Sequence, residues 1–369
     1  AGVAGLVGAT GRVENCVNTA FVTLSGNVVG NKISVGGVVA ETEAGAVVTG
    51  CTNEGGISSS GATPKVNTAG IYTGGVVGWA GGAVENCTTE GGKTTVTPNN
   101  ADNAVASIER GGKTLYYTSL NDAVAEAGDG ETVEVLKSIS IDKALEIKNN
   151  ITIDGNGYTV TANECVGLYI KADLSKLTVT DLTLKGVLPE GSLAGEGGTG
   201  SFMGIGTYDG CYGVEDLQLD NVTIDGFSYG LYFGSNTSND TPVSVDAEDL
   251  TIQNCYIKGA YFEKLTDSTF TDCQFIDNGT DADKVEANFQ KWVCGVDVNL
   301  KYGDYQDIKF DGCTFTGNGD NSGTALHIKA RDDGKTYGAD PATLDGVTVT
   351  GCTFTGNNAA VEAPIVLGE

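Results

Sequence analysis

Gly312-Cys313-Thr314-Phe315-Thr316-Gly317-Asn318 and Gly351-Cys352-Thr353-Phe354-Thr355-Gly356-Asn357 are one seven-residue phrase written twice near the end of the chain. An alternating run precedes each copy, Ile308-Lys309-Phe310-Asp311 before the first and Val347-Thr348-Val349-Thr350 before the second. Apolar and polar residues alternating with period two predict a strand, and the closing Gly-Asn tolerates the left-handed backbone of a tight corner. A strand and a corner, repeated, predict one coil of a solenoid.

The same slot recurs along most of the chain. Seven of the ten cysteines, Cys16, Cys51, Cys87, Cys255, Cys273, Cys313 and Cys352, each follow Asn, Asp or Gly. The slots Leu182, Val222, Cys255, Cys273, Cys313 and Cys352 are spaced 40, 33, 18, 40 and 39 residues apart, which reads as coils of variable length with loops inserted at some corners. Stacked rungs lie about 4.8 Å apart, beyond the mean Cβ separation of about 3.8 Å in a disulfide, so free stacked thiols are expected. The chain has no CxxC, which leaves a zinc site without support.

Composition agrees with a repeat array. The 369 residues include 55 glycines but only 6 prolines, which favours many corners without a disordered composition. A net charge of −27 opposes nucleic-acid binding, which needs Lys and Arg against phosphates. It suits a soluble extracellular protein, one open to binding calcium. No apolar run approaches the roughly 20 residues of a membrane-spanning helix. With neither an initiator methionine nor a basic leader, the chain reads as a fragment of a longer exported protein.

Residues 1–97 hold three copies of a longer unit. Ala4-Gly5-Leu6-Val7-Gly8 leads to Val13-Glu14-Asn15-Cys16, Gly36-Gly37-Val38-Val39 to Val48-Thr49-Gly50-Cys51, and Gly74-Gly75-Val76-Val77-Gly78 to Val84-Glu85-Asn86-Cys87. The cysteines recur after 35 and 36 residues. The unit resembles the GLUG repeat of bacterial surface proteins, the second copy departing at Ala40, where the closing glycine is missing. That resemblance implies a β-solenoid segment without chemistry of its own.

The polar stretch from Thr97 to Asn103 reads as a boundary, and a second domain is expected over 104–369. Ser119 caps a short helix whose Leu120, Ala123, Val124 and Ala127 share one face. Its expected role is to cover the open end of the strands that follow. Those strands resemble the right-handed parallel β-helix of the pectin-lyase-like superfamily. The fold class expected is therefore all-β: a right-handed parallel β-helix with a short N-terminal capping helix, preceded by a GLUG-like β-solenoid segment.

Chemistry is expected on the second strand of each coil. If the aliphatic residues of Leu168-Tyr169-Ile170, Leu231-Tyr232-Phe233 and Ala260-Tyr261-Phe262 point inward, then Tyr169, Tyr232 and Tyr261 form an outward row. Asp297 and His327 continue that row, while Lys171, Glu263, Asn299 and Lys329 form the next. Aromatic rings beside hydrogen-bonding groups suit a saccharide chain, so Tyr169, Tyr232, Tyr261, Asn299 and Lys329 are the candidate ligand-binding residues. An exposed sheet rich in Tyr for strand propensity alone gives the same pattern.

For catalysis on an acidic polysaccharide the candidates are Lys329 or Arg331 as base, with His327 and Asp297 beside them, and Asp297, Asp332 and Asp333 near a calcium ion. His327 is the only histidine, and Arg331 one of three arginines. Polygalacturonase-type enzymes of the superfamily carry Asn-Thr-Asp, Asp-Asp, Gly-His-Gly and Arg-Ile-Lys signatures, of which only Asp332-Asp333 is present. The glycine-rich segment Glu190 to Gly200 reads as a long corner loop, with closure over the tyrosines as the other outcome. The expected function is a non-catalytic, monomeric surface or secreted protein, adhesin-like, binding a glycan or another surface protein, with no resident cofactor. A polysaccharide lyase or glycosidase is the alternative, and a structural stalk the third.

Overall fold

The computed structural model describes residues 1–28, 33–55, 57–64, 71–89, 104–111, 113–195, 202–208, 211–237, 240–319, 324–331, 341–357 and 365–368. The protein is all-β, with 53% strand and 4% helix. No helix among these residues is long and apolar enough to cross a membrane. The chain divides into two compact units, Ala1–Glu126 and Ala127–Glu369.

In the first unit the three sequence copies lie on one another in parallel. Ala4 and Val77 both pair with Val39, and Val17, Thr52 and Thr88 fall in one ladder. Val38, Val39, Val48 and Cys51 are fully buried between them. The residue before each cysteine, Asn15, Gly50 and Asn86, has a left-handed φ, which is why that slot takes Asn or Gly. An antiparallel hairpin, Ala106–Arg110 with Lys113–Tyr117, precedes the helix Leu120–Glu126. Asp122 donates its backbone N–H to Ser119 Oγ at 3.3 Å, and Leu120, Ala123 and Val124 are buried. Glu126 accepts hydrogen bonds from Tyr72 and Tyr117 within the unit.

In the second unit each coil contributes one strand to each of three parallel sheets, an arrangement consistent with a β-helix. The first sheet runs from Thr132–Val135 to Thr343–Thr350 and the second from Ile139–Ile141 to Thr353–Thr355. The third comprises Leu145–Ile147, Leu168–Ile170, Met203–Thr207, Tyr229–Phe233, Lys258–Phe262, Cys294–Leu300, Thr324–Ala330 and Ile365–Gly368. Identical inward positions stack. Phe275, Phe315 and Phe354 lie face to face at 4.9 and 4.7 Å, and Phe270 on Phe310 at 4.8 Å. Asn278, Asn318 and Asn357 form an amide ladder, Nδ2 to Oδ1 at 2.9 and 3.0 Å, that satisfies polar groups at a buried corner. The Gly-Asn of the repeated phrase thus divides its labour: Gly317 and Gly356 take the left-handed φ, and the asparagine stacks.

The ladder corrects one sequence alignment. Thr223, Thr251, Gln274, Thr314 and Thr353 are successive partners, so the slot before them holds Val222, Leu250, Cys273, Cys313 and Cys352. Cys255 is not in it. The hydrogen-bonded register puts Leu250 in the slot instead, so the stretch from Val222 to Cys273 holds steps of 28 and 23 residues. All ten cysteines are free thiols, as expected. Those of the slot donate to carbonyls of the neighbouring rung, Cys313 Sγ to Phe270 O at 3.2 Å for example.

Candidate functional site

The third sheet carries the expected outward row. Tyr169 pairs with Gly206, Gly206 with Tyr232, Tyr232 with Tyr261, Tyr261 with Asp297, and Asp297 with His327. Asn299 pairs with Lys329 in the neighbouring row. Gly206, which offers no side chain, interrupts the tyrosines.

A second outward row, which the period-two reading missed, runs beside the first: Tyr229, Lys258, Cys294 and Thr324 are successive partners. Each lies three residues before a member of the first row, so strict alternation would place the two on opposite faces. The chain switches face at a glycine. A Cβ on Gly230 would lie 2.4 Å from Gly259 O and 2.5 Å from Ile252 Cγ2, and one on Gly259 would lie 2.5 Å from Gly295 O and 3.0 Å from Asn278 Nδ2. These positions face the crowded corner of the core, and the aliphatic residue after each glycine also points inward. Two inward residues in succession put the flanking pair on the same outer face, as a bulge does. The repeated phrase Tyr229-Gly230-Leu231-Tyr232, Lys258-Gly259-Ala260-Tyr261, Cys294-Gly295-Val296-Asp297 was the signal for it.

The tyrosine part of the face is not an open platform. Tyr232 and Tyr261 are 3% and 8% exposed, packed with Tyr229, Phe202, Ala194 and Val285 in a small core outside the sheet. Ring centroids of Tyr229, Tyr232 and Tyr261 are 5.1 to 6.0 Å apart. Of the segment Glu190 to Gly200, residues 196–200 lie outside the described residues, while Ala194 packs over the tyrosines, donating its N–H to Lys284 O at 2.7 Å and accepting one from Glu286 at 2.9 Å. Outward direction and exposure differ here because two long insertions close on the same rungs. Tyr169 is half-buried, with Lys171 Nζ 3.9 Å from its ring centre.

Beyond this cover the face opens into a cleft of about 530 Å³. Asp297 is its electrostatic centre, 7% exposed, with Lys258 Nζ bound to Oδ2 and His327 Nδ1 2.8 Å from Oδ1. Burial alone would raise the carboxyl pKa, but the Lys258 ammonium and the His327 contact outweigh it and hold it at about 2. Lys329 and Arg331 continue the His327 strand, and Lys291 projects from the wall Phe289–Val293. Asp297 is therefore the one carboxylate among the described lining residues, against Lys258, Lys291, Lys329 and Arg331. In a chain with 48 acidic and 21 basic residues this is a local inversion of charge.

The polar wall is tightly organised. Tyr261 donates its hydroxyl to Glu263 at 2.5 Å and accepts Asn299 Nδ2 at 3.2 Å, while Glu263 also binds Lys301 and Ser235 N. Burial, and then the Glu263 carboxylate, push the Tyr261 phenol well above its usual range, so it stays neutral. Asn299 Oδ1 is buried without a hydrogen-bond partner. Cys294 lines the cleft, but burial pushes its thiol up to about 12, which leaves it a poor nucleophile.

The structure thus brings Asp297, His327, Asn299, Lys329, Arg331 and Tyr261 together, and separates Tyr169 and Tyr232 from the cleft lining. Asp332 and Asp333 lie outside the described residues, and among those described no group of three or more His, Cys, Asp or Glu side chains is placed to hold a metal ion. Lys258, Lys291 and Trp292 were missed, the last two because an insertion carries no periodic signal. Set against models of protein families, the curated proteins and the solved structures, the chain matches none. The resemblances to GLUG repeats and to the pectin-lyase-like superfamily rest on the motifs quoted above.

Proposed function

We propose that this is an exported surface protein in which a GLUG-like segment precedes a right-handed parallel β-helix, and that the β-helix binds an acidic saccharide chain in the cleft of its third sheet. The observation that carries this reading is the gathering of Lys258, Lys291, Lys329, Arg331 and His327 around one neutralised carboxylate on a protein of net charge −27. A cationic cleft with low-dielectric walls focuses its field on an incoming anion, and the acidic surroundings repel that anion elsewhere. The unpaired Asn299 Oδ1 is the acceptor that a sugar hydroxyl would satisfy. The protein acts as a binder and performs no reaction.

One observation favours a second reading. Asp297 fixes His327 through Nδ1, which orients the imidazole and leaves Nε2 to take a proton. On a uronate bound through Lys329 and Arg331, His327 would remove the proton α to the carboxylate. The electron pair left behind would form the C4–C5 double bond as the C4–O bond breaks. The departing oxygen would take the proton from His327 Nε2, leaving an unsaturated sugar end and a neutral imidazole. The two readings separate on an array of acidic and neutral glycans probed with the full chain, with and without calcium, followed by an absorbance assay for unsaturated product. Binding to acidic glycans without product supports the binder. Product lost in His327→Ala supports the lyase, and equal binding to neutral and acidic glycans contradicts both.

A further inference from the structure

The protein has two tryptophans, and their settings are opposite. Trp79 is 7% exposed, edge-on to Tyr72 at 4.5 Å and to Tyr117 at 5.8 Å. Trp292 is 57% exposed at the cleft wall. A covered aromatic side chain removes about 150 to 250 Å² from water, so an uncovered one leaves most of that contribution unrealised until a partner arrives.

The turn that displays Trp292 is fastened. Gln290 Nε2 donates to Ala282 O at 3.0 Å and Val285 O at 3.1 Å, and Trp292 N donates to Phe289 O at 2.8 Å. Val285 and Val293, on either side, are 1% and 2% exposed. The ring is therefore held out by a structured wall, with Lys291 Nζ 4.9 Å from its centre. The same cleft is lined by the Asp297–His327 pair and by Lys329 and Arg331.

We propose that Trp292 is the specificity-determining residue of the cleft, a platform for the apolar face of a pyranose ring whose acidic substituent reaches the lysines and Arg331. This rests on the anion-binding reading and narrows it. A pyranose carries C–H groups on one face and hydroxyls and a carboxylate or sulfate at its rim, matching a wall that is aromatic and cationic at once. Polyphosphate offers the charge without the face, and a neutral oligosaccharide the face without the charge. Trp292 thus separates acidic glycans from other polyanions.

Fluorescence titration of the full chain tests this, because a sugar ring over Trp292 shifts its emission to the blue and shields it from acrylamide. The probes are an oligogalacturonate, a sulfated oligosaccharide, polyphosphate and a neutral oligosaccharide. Trp292→Ala is expected to weaken the better-bound acidic saccharide about tenfold, equivalent to about 1.4 kcal/mol, and to leave polyphosphate within about twofold. Calorimetry reads the variant, whose remaining tryptophan is buried. Which acidic saccharide binds distinguishes carboxylate from sulfate as the anionic group. An unchanged saccharide affinity in Trp292→Ala, or an equal loss for polyphosphate, overturns the platform while leaving the anion site standing. No anion binding by the unaltered chain sinks both.

Discussion

Tyr232 occupies the same outward row of one sheet as Asp297 and His327, yet it is packed away from the cleft that Asp297 and His327 line, with Tyr261 between them at the cleft's edge. The strands are alike at these rungs; the insertions are not. The segments around Ala194 and Val285 close on the tyrosines and stop at the wall ending in Val293. A solenoid strand decides which way a side chain points, and the corner loops decide what it meets. The aromatic rungs therefore hold the cover in place, and the polar rungs remain available to a ligand.

The comparison breaks most directly at Asp297. Asp297→Ala leaves the Lys258 ammonium, whose side chain is 8% exposed, without its counter-charge, and the expected destabilisation is about 3 to 5 kcal/mol in denaturant unfolding. Adding Lys258→Met recovers much of it, because the loss comes from the stranded charge. On the sealed rungs, Tyr232→Ala removes a ring packed on Phe202, Tyr229 and Tyr261 and costs about 3 kcal/mol. His327→Ala, on the half-open rung, changes stability by about 1 kcal/mol or less and acts instead on ligand affinity.

Acid provides an independent reading of the same pair. The folded pKa of Asp297, about 2, lies below the unfolded value of about 3.9, so its contribution is fully present above the unfolded value. It is lost as pH falls from about 4 towards 2, about 2 to 3 kcal/mol in all. Stability measured over that range slopes downward with acidification, and the slope is smaller in Asp297→Asn.

The row from Tyr169 to His327 was legible because inward aliphatics alternate with outward polar groups at period two. Lys258 was not, since Gly259 shifts the strand's facing by one position and period-two reasoning has no term for that. Gly259→Ala tests this, as the added Cβ meets Gly295 O and the Asn278 amide at 2.5 and 3.0 Å. About 1 to 3 kcal/mol of destabilisation is expected, with weaker ligand binding as Lys258 is displaced. The Cys255 misalignment has a related origin: a cysteine after a left-handed Asn, Asp or Gly occurs at two different corners, and only the hydrogen-bonded register tells them apart. Exposure of the tyrosines was illegible for another reason, because it depends on where segments distant in sequence come to rest. The smallest effect is expected at Trp292, whose replacement by Ala alters unfolding by no more than about 0.5 kcal/mol, since the ring buries little in the free protein.

The most direct test of the account is a calorimetric titration of the full chain with an acidic oligosaccharide at low and physiological salt, alongside the Lys329→Ala/Arg331→Ala double variant. The account predicts binding that weakens with salt, as charge-led binding does, and a loss of at least about tenfold in the variant with its unfolding unchanged. Equal affinity in the variant, or binding indifferent to salt, would place the ligand elsewhere and contradict the cleft as the functional site.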